Sequence, residues 1–333
     1  MEPLRFDPQF VSKIWGGRRL QTALGKDIPP GAIGESWEIS GHPHHLTSVR
    51  SGRFEGMDLY RIAAHDAPAV FGEAADECAK RFPLLLKFID ASDVLSVQVH
   101  PDDAYATQYE NSLGKSEAWI ILDCEPDSFL YRGFLDGATL EDFDRLLPEG
   151  RLEEILKRVP VSRGDCIDLP AGTVHAIGAG ILLCEIQQSS DVTYRVYDWN
   201  RVGADGSARP LHVDRAREVM DFRTESGDKV TAEISATEGG RRETLIDSDK
   251  FRLSRLTVET KMALEAPEGL FRLLCVVGGD GSISWEDGSA PLRQGDSLLL
   301  PAASESASLS TDAGLQVAVM SLPPVSSSRH RAV

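Results

Sequence analysis

RGDCIDLPAGT at 163–173 returns as QGDSLLLPAAS at 294–304, with Gly-Asp followed six residues on by Pro-Ala at a constant offset of 131 residues. A Gly-Asp turn, a four-residue apolar strand and a Pro that closes it read as a tight hairpin of an antiparallel sandwich, present twice. Two related β domains are therefore expected. Segments 83–90 (PLLLKFID), 94–100 (VLSVQVH), 118–123 (AWIILD), 181–188 (ILLCEIQQ) and 192–199 (VTYRVYDW) are short, rich in β-branched and aromatic residues and bounded by Gly, Pro or Asp, so the fold class is mainly β. Two stretches carry helical spacing instead: 58–80, interrupted at Pro68, and 139–158, which opens on a Thr139 cap followed by acids. Residues 224–250 are polar and nearly free of large apolar side chains, as a linker or long surface loop would be. The boundary falls near residue 225, giving a first domain at 1–225 and a second at 226–333.

The GD…P turns resemble those of cupin jelly rolls, which implies two cupin-like β-barrel domains with the helical stretches as inserts. The copies differ in chemistry. The first continues to His175, the same offset in the second reaches Ser306, and no histidine lies between His212 and His330, so only the first domain can hold a histidine metal site. In VQVHPDD, strand periodicity puts Gln98 and His100 on one face and Val97 and Val99 on the other, with Pro101 placing His100 at the strand's mouth. Glu117 opens the next strand and His175 follows the PAGT turn. One amide, two imidazoles and one carboxylate suit zinc or a similar divalent ion. Taken singly, each residue is as readily an ordinary hydrogen-bonded or solvent-facing side chain, and spacing alone does not bring them together.

Composition narrows the partners. The net charge is −17, opposite to a nucleic-acid footprint, and an anionic small substrate would need cations gathered locally against that field. No window approaches the length of an apolar membrane span, and MEPLRFDPQF lacks the basic flank and apolar run of a signal peptide. Cys78, Cys124, Cys166, Cys184 and Cys275 show no CxxC pairing and read as free thiols of a reducing, cytoplasmic setting.

LSVQVHPDD, GKSEAW, PAGTVHAIG, EIQQSSDVTYRVYDWNR and the N-terminal KIWGGRRL…IGESWEIS, in order from about residue 10 to residue 212, together resemble the type I mannose-6-phosphate isomerases, in particular their short bacterial form. The resemblance implies one zinc ion per chain on Gln98, His100, Glu117 and His175, with Arg195 and Lys115 catalytic. It further implies that Ser96, Lys87, Asp191 and Arg201 bind a sugar phosphate, although the family commonly has lysine where Arg201 stands. The implied reaction interconverts mannose 6-phosphate and fructose 6-phosphate through an enediol, with a water on the metal, Glu117 or His100 as proton carrier and Glu185 and Asp191 as orienting carboxylates. Other metal-dependent cupin enzymes, such as an iron oxygenase, and a non-catalytic sugar-phosphate-binding cupin are the alternatives. The expected partner is a small sugar phosphate, with neither nucleic acid nor membrane, in a monomer or homodimer. The tail SSSRHRAV is expected to fray.

Overall fold

The computed structural model describes residues 1–202, 206–223, 228–264, 269–304 and 306–324. The expected boundary at residue 225 and the tail lie outside them. Strands up to Tyr197 form a two-stranded pair, a six-stranded sheet and a five-stranded sheet, and those from Glu233 onward form one curled nine-stranded sheet, all antiparallel. The mainly β jelly-roll class is as expected.

Both Gly-Asp turns share their backbone. Gly164 and Gly295 have φ 91° and 92°. Each turn is closed by the same bonds: the Gly N–H donates to Ile121 O or Val276 O, and the Asp side chain accepts the N–H of Ser162 or Arg293, at 2.7–3.1 Å. Neither turn is a hairpin, however. The first carries the chain from Leu156–Pro160, in the five-stranded sheet, to Cys166–Leu169, at the edge of the six-stranded one. The second links Gly288–Arg293 to Ser297–Leu300, which pair with opposite ends of the long strand Arg272–Trp285. The turn is a sandwich corner.

Period-two alternation divides each strand between two cores. In Ile181–Gln188, Ile181 and Leu183 face the interior between the two sheets of the first half, while Leu182, Cys184 and Ile186 face outward. That outer face packs against Leu253, Leu273, Cys275, Leu299 and Met320 of the second half in one apolar cluster, where Cys184 Sγ and Cys275 Sγ lie 3.5 Å apart. The interior of the second half is filled by Leu256, Leu274, Val276, Leu298, Leu300 and Val317. Among the described residues no metal-type cluster lies in the second half.

Helices Leu59–Phe71 and Ala75–Lys80 fill the first helical stretch; the kink lies at Asp66, two residues before Pro68, which has no N–H for a helical bond and whose ring crowds the preceding turn. In the second, Thr139 and Asp142 form a capping box, but the helix is only Leu140–Leu146. Pro148 and the left-handed Gly150 end it, and Leu156–Pro160 is strand, correcting the expectation of helix to 158. Within 224–250, expected as loop, Glu233–Thr237 and Gly240–Asp247 pair as a hairpin about Glu238-Gly239. Among the described residues no helix is long and apolar enough to cross a membrane.

Candidate functional site

Register builds the site. In the five-stranded sheet, Gln98 of Val97–Val99 stands directly opposite His175 on one neighbour and Arg195 on the other, so three side chains line up on one face. In the facing sheet, Trp119, Glu185, Lys87 and Trp37 form a row across four strands, with Glu117 two residues from Trp119 on the same face. Val97 and Val99 point the other way into apolar packing, as the alternation requires.

His100, Glu117 and His175 converge with their ligand-type atoms within 4.8 Å of one another. Glu117 Oε1 lies 3.3 Å from His175 Nε2 and Oε2 lies 3.6 Å from His100 Nε2. Gln98 Nε2 is 3.3 Å from His175 Nε2, and turning the amide over presents Oε1 there instead. His100, expected at a strand mouth, is buried. Each imidazole gives its Nδ1–H to a backbone carbonyl, Val192 O at 2.8 Å for His100 and Thr173 O at 2.9 Å for His175, which leaves both Nε2 lone pairs facing the centre. Burial, reinforced by the Lys115 ammonium, keeps His100 neutral well below its usual range; burial likewise lowers His175 to about 4 despite the opposing Thr173 bond.

Lys115 Nζ lies 2.8 Å from Glu117 Oε2 and 3.0 Å from His100 Nε2. Burial alone would discharge it, but Glu117 and Glu185 raise its pKa instead. Oε2 of this wholly buried carboxylate is paired with the Lys115 ammonium, but Oε1 has no donor and faces the unprotonated His175 Nε2 at 3.3 Å. Such an oxygen is costly unless something else binds it. Two preset imidazoles, a carboxylate oxygen without a donor and a reachable amide oxygen fit a divalent cation.

Beside this cluster opens a cavity of about 360 Å³ whose lining includes Ser96, Gln98, Lys115, Lys87, Glu185, Asp191, Thr193, Arg195 and Arg209. A larger cavity, about 600 Å³, lies in the second half near Arg242 and Lys261 with no metal-type cluster beside it among the described residues, so volume alone does not pick the site. Ser96 Oγ accepts from Arg195 Nε at 3.2 Å. Lys87 pairs with Glu185 at 3.3 Å and sits 4.2 Å from the Trp37 ring centroid, which accounts for a lysine inside an apolar strand. Asp191 is tied to His42 and His44.

Of the residues expected to be catalytic or to bind substrate, Arg201 alone is not in the lining: its guanidinium is bound to Asp198, Asp93 and Val94 O. Arg209, which no motif marks in the sequence, lines the cavity with Nε held 2.7 Å from Asp198. Lys13, Glu35, Trp37 and His45 of the lining were also not singled out. Burial would raise Glu35, but Lys87 and Lys13 overcome it and hold the carboxyl at about 2. Strand alternation in IGESWEIS, where Glu35 and Trp37 share a face, was the available signal for these two.

Residues 4–119 match the model of the phosphomannose isomerase type I catalytic domain, and residues 241–320 that of the mannose-6-phosphate isomerase cupin domain. The chain is 36% identical to the mannose-6-phosphate isomerase of Streptococcus mutans over 90% of its own length and 92% of that protein's. Identity to mannose-6-phosphate isomerase ManA of Bacillus subtilis is 37%, over 90% and 93%. The chain belongs to the type I phosphomannose isomerase family. A crystal structure of the mannose 6-phosphate isomerase from Bacillus subtilis superposes with a TM-score of 0.86 at 32% identity, covering 96% of this chain and 99% of that one. As a phosphomannose isomerase family member the chain is an enzyme, an isomerase on a cupin framework. Its catalytic-domain match contains Gln98, His100 and Glu117 and stops short of His175, which the register of the five-stranded sheet supplies.

Proposed function

We propose that the protein interconverts mannose 6-phosphate and fructose 6-phosphate through an enediol, with one zinc ion on Gln98, His100, Glu117 and His175. The observation that carries this reading is Glu117: fully buried, with Oε1 lacking a donor, and faced by two imidazoles whose tautomers are already set for a cation. Bound zinc would supply Lewis acidity toward the sugar's O1 and O2. Lys115, kept protonated beside Glu117, places a positive charge where an enediolate would develop and acts as an electrophile, not a base.

The phosphate end is read differently from the sequence. Ser96, Arg195 and Arg209 line the cavity while Arg201 is turned away, so Ser96 and the two lining guanidiniums are assigned to the phosphate, and Arg201 to the framework beneath them. Anchoring a remote phosphate there holds C1 and C2 at the metal cluster. Lys87, Glu185 and Asp191 complete a polar wall for the hydroxyls. The division near residue 225 and a cytoplasmic setting belong to the same proposal; the family-model matches on either side support the first and five unpaired cysteines the second.

A coupled assay on mannose 6-phosphate tests it. Chelation should abolish the rate and zinc restore it, and His175→Ala and Arg195→Ala should each lose it. Full activity after verified metal loss, or an undiminished rate in both variants, would overturn the assignment.

A further inference from the structure

We propose that His42, His44 and Asp191 form a second, weaker divalent-cation site at the mouth of the cavity, for ions of the zinc, cobalt and nickel class. The ligand-type atoms of these three residues lie within 4.8 Å of one another. His42 Nε2 is 3.4 Å from Asp191 Oδ1 and His44 Nδ1 is 2.6 Å from Oδ2. Both imidazoles therefore direct an N–H at one carboxylate, with protons standing where a cation would. Two nitrogens and a carboxylate are the donor set that borderline cations prefer.

The cluster is anchored on one side and open on the other. His42 is buried, its ring centroid 5.7 Å from that of Trp37 and 4.9 Å from that of His44. The His44 side chain is 68% exposed and that of Asp191 37%, leaving room for water to complete a coordination shell. The hydrogen bond from His42 outweighs burial and keeps Asp191 ionised well below the usual carboxylate range.

Weaker binding follows from tautomer preparation. At the buried cluster both Nδ1–H groups already donate to carbonyls. At the mouth, His42 Nδ1 accepts the backbone N–H of His44 at 3.4 Å, so the resting proton sits on Nε2. A cation must displace it and give up that long contact. The consequence for the enzyme is inhibition by excess metal, because Asp191 lines the cavity and would be taken by the ion. This consequence, and the ranking of the site as the weaker of two, rest on the proposed function; the three-residue cluster itself does not.

Calorimetric titration of zinc into tag-free protein already holding one equivalent should reveal a second, weaker equivalent. His44→Ala and His44→Gln should both lose it, and His175→Ala should keep it while losing the tight one. Excess zinc should raise the thermal midpoint further in wild type and not in either His44 variant. The zinc concentration that halves the isomerase rate should rise at least tenfold in the His44 variants. A wild type with no second equivalent, or a second equivalent undiminished in both His44 variants, overturns the site. Failure at the buried cluster shows separately, as absence of the tight equivalent.

Discussion

Arg195, Arg201 and Arg209 gather about one buried carboxylate, Asp198, with the more exposed Asp93 reaching only Arg201. Burial, then Arg209 and Arg201, lower the pKa of Arg195, partly offset by Asp198, the mark of a cationic surplus in an otherwise acidic chain. A phosphate dianion would neutralise that surplus. Arg209→Ala should therefore raise KM for mannose 6-phosphate by about tenfold to a hundredfold, the worth of a charged hydrogen bond, with kcat less affected. Arg201→Ala should change KM less and lower the thermal midpoint instead, since its bonds tie the framework together. Steady-state kinetics and melting curves on both variants check this, and equal KM effects would refute the distinction. Gln98 and His100 were legible because period two alone puts them on one face. Arg209 was not, because Trp199 and Asn200 take left-handed φ of 55° and 54° after the last strand of the first half and Arg209 itself lies in no strand or helix whose period would give its position.

The two Gly-Asp corners make a controlled comparison at the level of elements. Both glycines hold the same left-handed backbone, which costs an L-residue about 1–2 kcal/mol. A Cβ on Gly164 would meet nothing nearer than Arg255 at 3.8 Å, whereas one on Gly295 would stand 2.9 Å from the Leu24 Cβ. Gly164→Ala should thus cost about 1–2 kcal/mol and Gly295→Ala distinctly more, as read from denaturant midpoints, and a reversed order would refute the packing argument. The corner was visible in sequence because Gly, Asp and Pro fix local backbone. Which strands it joins was not, because partners are chosen by contacts far along the chain. The hairpin about Glu238-Gly239 was missed for another reason: every residue of Glu233–Thr237 is exposed, so no apolar alternation marks the strand. The stop at Leu146 is written in Pro148 and Gly150, while Leu152, Ile155 and Leu156 keep helical spacing although only Leu152–Ile155 turns again, as a 3-10 helix.

At the scale of the whole molecule, the two halves are related by repeat yet do not stand independently. Leu4 exchanges backbone bonds with Leu299 at 2.8 and 2.9 Å, Ser297 donates to Glu38, and Lys26 donates to Gly295 O, so the second copy of the corner is clasped by the N-terminal segment. The outer face of the six-stranded sheet, with Leu86, Phe88, Ile120 and Leu182, lies in the same apolar cluster as Phe251, Leu253, Phe271, Leu273, Leu299 and Met320. Each such side chain contributes roughly 1.5–3 kcal/mol on burial, so losing six of them removes about 10 kcal/mol or more, as much as the whole stability of an ordinary domain. The second half then covers the apolar outer face of the sheet, a packing role that calls for no metal cluster. Residues 1–225 expressed alone should bind a hydrophobic dye, aggregate and fail to take up one equivalent of zinc, whereas the full chain should melt in a single transition. A monomeric, dye-silent 1–225 fragment that binds zinc stoichiometrically would show that the first half folds without its cover.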